Sequence, residues 1–120
     1  MQAKLQNFNN IKFHENTIDE SIGSFEVAGK LAYFVHGDKD NENTVVQKLT
    51  MMTGIKPDYV FKFHTHTNAL STVYNTKVIT SGCLSGTDSY CVDNRLANRP
   101  EQVIAVCSED GLECLYDIKF

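Results

Sequence analysis

Three of the four histidines in this chain stand where they could act together. His64 and His66 form a His-Thr-His triplet at the end of the run Tyr59-Val60-Phe61-Lys62-Phe63. Side chains two apart on an extended segment point to the same side, so both imidazoles can converge on one metal ion or on two adjacent ones. A surface pair joined only by a hydrogen bond has the same spacing, and the triplet alone does not separate the two readings. His36 is placed in the same way: it closes Leu31-Ala32-Tyr33-Phe34-Val35 and precedes Gly37-Asp38. Open α/β sheets bind ligands beyond the C-terminal ends of their strands, and neutral imidazole suits Mn, Fe or Zn. The metal-ligand candidates are therefore His36, His64 and His66. His14, between Phe13 and Glu15 in a polar stretch, reads as exposed, and no residue is assigned a catalytic or organic-cofactor role.

The elements that must position these residues follow from the surrounding pattern. Ser24 to Ala28 and Leu31 to His36 are β-rich runs around Gly29-Lys30, which predicts a hairpin with Gly29 at positive φ in a type II′ turn. The second run is almost wholly apolar, so it is expected to be covered on both faces. Val45, Val46, Leu49 and Met52 recur at helical spacing, predicting one principal helix over about 43–54, with Asn43 as N-cap and Gly54 as stop. Lys56-Pro57-Asp58 then turns the chain into the strand that ends at His64. Further strands are expected at 70–74 and 77–81. A C-terminal antiparallel hairpin is expected over 102–119, turning at Asp110-Gly111. The fold class is α/β, an α+β layered arrangement that is mainly β, in a single domain over 1–120 with 1–10 as a flexible arm.

Taken together, an apolar strand, Val35-His36-Gly37-Asp38, a helix, Lys56-Pro57-Asp58-Tyr59-Val60 and a strand ending in H-x-H resemble the last two metal motifs of the calcineurin-like metallophosphoesterases. Ser81-Gly82-Cys83-Leu84-Ser85-Gly86-Thr87-Asp88-Ser89-Tyr90, Arg99-Pro100-Glu101-Gln102 and the closing hairpin look like the C-terminal part of phage and bacterial members. The resemblance covers about residues 18–120 and implies half of a metallophosphoesterase-like sandwich. It also implies that His36 and His64 bind one divalent metal and His66 another, with a phosphate bridging them. Two departures bear on activity. Phe63 stands where the family's G-H-x-H motif has glycine, and the earlier motifs D-x-H, G-D-x-x-D and G-N-H-D/E are missing. Asp38 and Asp40 share one loop with His36 and cannot replace a bridging carboxylate from another strand. The resemblance thus implies a truncated or split phosphoesterase-like protein, phage-encoded, which holds metal weakly and is not catalytically competent alone. Its expected partners are a second copy or a complementary chain.

Charge and composition bound the alternatives. The net charge of −4 argues against a broad nucleic-acid-binding face. Bases gather in the middle, at Lys48, Lys56, Lys62, Lys77, Arg95 and Arg99, and read as solvated surface. Residues 100–120 set Glu101, Glu109, Asp110, Glu113 and Asp117 against Lys119 alone. That acidity suits a second reading, a phage inhibitor that binds a host defence nuclease in the anti-CRISPR manner. No apolar run approaches the eighteen or so residues of a membrane span, and no secretory signal is visible, so a cytoplasmic location is expected. Cys83, Cys91, Cys107 and Cys114 fit neither a redox motif nor a zinc knuckle. They are read as apolar thiols, with Cys107 and Cys114 the one pair near enough in the hairpin to approach each other.

Overall fold

The computed structural model describes residues 7–12, 21–38, 40–65, 67–84 and 99–120. Strands β1 (Ile22–Val27) and β2 (Lys30–Val35) form the first hairpin. Its turn is Ala28-Gly29, with φ of 50° and 77°. Two consecutive positive φ values make this a type I′ turn one residue earlier than the sequence predicts, because that turn matches the right-handed strand twist. Helix α1 (Val45–Thr53) leads to β3 (Tyr59–Lys62), β4 (Ala69–Val73) and β5 (Thr76–Thr80), then to β6 (Glu101–Ser108) and β7 (Gly111–Lys119).

Five strands form one sheet in the order β1-β2-β3-β5-β4, and β6-β7 forms a second. The central strands β2, β3 and β5 are mutually parallel, with β1 and β4 antiparallel at the edges. A β2-α1-β3 crossover is what parallel neighbours require, and it puts the ends of β2 and β3 side by side.

Residue alternation decides which layer each side chain joins. Tyr33 and Val35 on β2, with Val60 and Val78, meet Val45, Val46 and Leu49 of α1 in one buried cluster. Burying each such side chain contributes roughly 1.5–3 kcal/mol, so three helix positions fix α1 to the sheet. On the opposite face Ala32, Tyr59 and Ile79 pack with Phe25, Phe34 and Phe61 and with Val103, Ala105 and Leu115 of the hairpin. β2 thus has a layer on both faces, closed on the helix side and partial on the hairpin side.

The helix start differs from the expected cap. Asn41, not Asn43, accepts the N–H groups of Asn43 and Thr44 through Oδ1, at 2.9 and 3.1 Å. Gly54 closes the other end in the left-handed conformation, its N–H donating to Thr50 O at 2.8 Å, as the sequence predicts. Lys62 corrects the surface reading of the middle basic residues: at 2% exposure it is buried, because alternation with Phe61 turns it inward. Cys107 and Cys114 do not pair and remain free thiols. A register shift between Val106 and Cys107 sets Cys114 opposite Val106 and Leu112 opposite Cys107. Cys107 packs inward while Cys114 is exposed.

The hairpin covers the sheet incompletely. Phe25, Phe34 and Phe61 stack at centroid separations of 4.5 and 4.9 Å, yet all three stay half-buried. A cavity of about 570 Å³ opens over Phe25 and Phe34 and runs to Phe63 and His36.

Candidate metal centre

Backbone pairing brings two of the three candidate histidines together. The parallel ladder of β2 and β3 runs one step past both strands, where Phe63 N–H donates to His36 O at 3.1 Å. Gly37 then bends away, buried, with φ of +100°. A Cβ there would lie 2.9 Å from Phe63 O and 3.3 Å from Lys62 Cε, so the close approach of the two strand ends admits no side chain.

His64 occupies the centre of a three-residue turn. Thr65 N–H donates back to Phe63 O at 2.9 Å, and His64 itself has φ of 75°. This is a γ-turn of the rare, strained hand. Such outliers persist where the surroundings hold them, and they cluster at functional sites.

The result is a close imidazole pair. His36 Nε2 and His64 Nδ1 lie 3.3 Å apart, with ring centroids at 5.1 Å in an edge-on arrangement. That separation is long for an N–H···N hydrogen bond. It equals the edge of a tetrahedron whose nitrogen ligands stand about 2.0–2.1 Å from zinc, an edge of roughly 3.3–3.4 Å. Both rings are exposed, and they line a cavity of about 330 Å³ with Phe63, Ser81, Gly82 and Gln102. The ends of β2, β3 and β5 therefore converge on it. Two neutral nitrogens at this spacing fit half of a zinc-type site. His66 lies outside the described residues.

Among the described residues carboxylates do not complete the set. Asp38 and Asp40 line a different cavity with His36 and Lys48, as their place on the His36 loop implies. Among the described residues no group of three or more His, Cys, Asp or Glu is arranged to hold a metal.

Sequence reasoning missed the residue that carries the far end of the His64 loop. Asn68 Oδ1 accepts from Gly82 N at 2.7 Å. Its Nδ2 donates to Gln102 O at 2.8 Å and to Asp117 Oδ1 at 2.7 Å. Its backbone N–H donates to Glu101, whose carboxylate is also paired with Lys119. The Lys119 ammonium and the Asn68 N–H hold the Glu101 carboxyl below its ordinary value of 4.5. The Asn68 amide, then Lys119, lowers Asp117 likewise.

No protein-family model and no curated protein matches the sequence. Solved structures do match in shape. A single mutant of Vps29 from Entamoeba histolytica superposes with a TM-score of 0.60 at 13% identity, over 90% of this chain and 65% of that one. The wild-type Vps29 of the same organism, complexed with Zn²⁺, gives 0.57 at 11% identity, over 83% and 59%. An archaeal phosphodiesterase gives 0.51 at 19% identity, over 83% and 51%. The fold is metallophosphoesterase-like. Within it the chain spans between about half and two-thirds of the length of these structures. The metallophosphoesterase-like elements include the single helix seen among the described residues and the C-terminal antiparallel hairpin, both expected from the sequence. No helix among those residues is long and apolar enough to cross a membrane.

Proposed function

We propose that this protein is one part of a split or truncated metallophosphoesterase. In this reading His36, His64 and His66 supply the imidazole side of a divalent-metal site, and a complementary protein chain supplies the rest. The observation that carries it is the 3.3 Å approach of His36 Nε2 to His64 Nδ1 at the ends of adjacent parallel strands. Bound there, a divalent ion would polarise a phosphoryl oxygen and offset its developing charge. The chain's own residues do narrower work. The strained turn at His64 aims its ring at His36, the glycine at 37 lets the two strand ends approach closely, and Phe63 lies beside both rings in the cavity wall. Three imidazoles without carboxylates hold a second cation poorly, so the lone chain binds metal without turning over a phosphodiester.

The half-covered Phe25-Phe34-Phe61 face supports the need for another chain, since a sheet face of this kind is normally buried in a sandwich. Zinc titration by calorimetry, paired with hydrolysis of bis-p-nitrophenyl phosphate, tests the proposal. Zinc binding is expected to weaken by at least about tenfold in His36→Ala and His64→Ala, with no hydrolysis by the isolated wild type. Turnover by the isolated wild type, abolished in His64→Ala and His66→Ala, would show a complete enzyme instead. Equal zinc affinity in wild type and both variants would remove the metal site.

A further inference from the structure

The segment Phe63 to Asn68 carries the His-Thr-His triplet between β3 and β4, and both of its ends are pinned. The first is held by the β2–β3 ladder. The second runs into β4, paired with β5 from Ala69 onward, and carries Asn68, every bond of which described above reaches a partner 14 to 49 positions away. None of these bonds merely closes the local loop. They fix its end against the exit of β5 and the two terminal strands.

The amide's orientation is unambiguous in chemical terms. Its oxygen meets a donor, Gly82 N–H, and its nitrogen meets two oxygens, so a flipped amide would set like against like at all three contacts. Gly82 is shaped to the same contact: a Cβ there would stand 2.5 Å from Glu101 Cγ, 2.9 Å from Glu101 O and 3.2 Å from Asn68 Oδ1. Gln102 adds a bond from Nε2 to Gly82 O at 2.6 Å. Gly82 and Gln102 also line the cavity that holds His36 and His64. The scaffold around Asn68 and the wall of the histidine cavity thus share Gly82 and Gln102.

We infer that Asn68 is a positioning residue, which sets where the His64 ring stands relative to His36 by anchoring the His64 loop to Gly82, Gln102 and Asp117. The inference rests on the metal-site reading for its purpose, but its geometry can be tested without metal.

Two measurements on the full chain decide it. Nuclear Overhauser contacts between the His36 and His64 rings are recorded in the metal-free protein at one fixed pH, and zinc affinity is measured by calorimetry. Asn68→Ala is expected to abolish the inter-ring contacts and to weaken zinc binding roughly 10- to 100-fold, the range for residues that orient ligands. Amide protection in β2, β3 and β5 should stay as in wild type. Ser108→Ala removes a hairpin hydrogen bond, to Glu113, that involves no partner of Asn68, and it should leave the ring contacts intact. Should Asn68→Ala fail to fold, Asn68→Ser, which keeps one donor and one acceptor, decides the matter by a partial loss of the same contacts. Wild-type ring contacts in the folded Asn68 variant would overturn the inference, and so would an equal loss in Ser108→Ala. If wild-type protein binds no zinc, the proposed function falls, while the ring contacts still judge Asn68.

Discussion

His64 shows how a single residue can hold function and strain at once. Its φ of 75° puts a Cβ-bearing side chain in a turn that glycine tolerates far better, at a cost of order 1–3 kcal/mol. Glycine at this position loses about 0.5–1 kcal/mol of that gain to chain entropy. His64→Gly is therefore expected to stabilise the fold by about 1 kcal/mol, read from urea unfolding midpoints at constant slope, while zinc binding weakens. A variant less stable than wild type would mean that contacts of the imidazole, rather than backbone strain, govern the position. The meeting of His36 and His64 at neighbouring strand ends was legible in the sequence, because strand ends are local patterns; the alternation expected to carry on through His64 was not kept, since β3 ends at Lys62. The γ-turn was not, since Phe63-His64-Thr65 contains no glycine to announce a positive φ. His66 falls beyond the described residues, so its part in the site stays with the proposal.

Among the elements, those encoded by short-range chemistry match their expected limits closely. Helix α1 follows from apolar periodicity and from Gly54, and the β6–β7 hairpin from alternation around Asp110-Gly111. The first hairpin was found but its turn was displaced by one residue, because Ala28 accepts a positive φ that no side-chain rule assigns to alanine. The bonds that tie the terminal hairpin to the large sheet were invisible, as Asn68, Glu101 and Asp117 find partners far along the chain. These bonds make a pH prediction. Glu101 and Asp117 have their folded values lowered, so their contribution is complete above the unfolded-state values. It is lost as the pH falls through the folded ones. Stability measured by urea unfolding should therefore hold at about pH 6 and decline towards about pH 3, with β6 and β7 amides losing protection first. Glu101→Gln should lower stability near neutrality and flatten the decline. A wild-type decline that Glu101→Gln reproduces unchanged would place the acid sensitivity elsewhere.

At the scale of the whole molecule, the terminal hairpin is apolar on both faces although only one is covered. Val103, Ala105 and Leu115 pack inward. Ile104, Val106 and Tyr116 face outward at 51%, 42% and 54% exposure, beside exposed Cys114. Strands with no polar face are the mark of a layer buried on both sides. A two-stranded hairpin is only marginally stable by itself, so its Asn68 and Glu101 ties and its packing on the sheet hold it in place. Stacking two copies outer face to outer face would use a patch of roughly 250–300 Å² from each, as strand spacing and rise imply. Stable interfaces take about 800 Å² per partner. The complementary chain proposed above would have to extend well beyond this strip to reach that area. The isolated protein should then bind a hydrophobic dye such as anilinonaphthalene sulfonate and associate weakly as its concentration rises. Ile104→Lys combined with Tyr116→Lys should reduce both effects, with stability kept to within about 0.5 kcal/mol per site, as for open surface positions. A loss on the order of 2 kcal/mol or more, of the size that truncating a buried residue such as Val60 produces, would mean that this face is already packed. No complementary chain would then be needed to cover it.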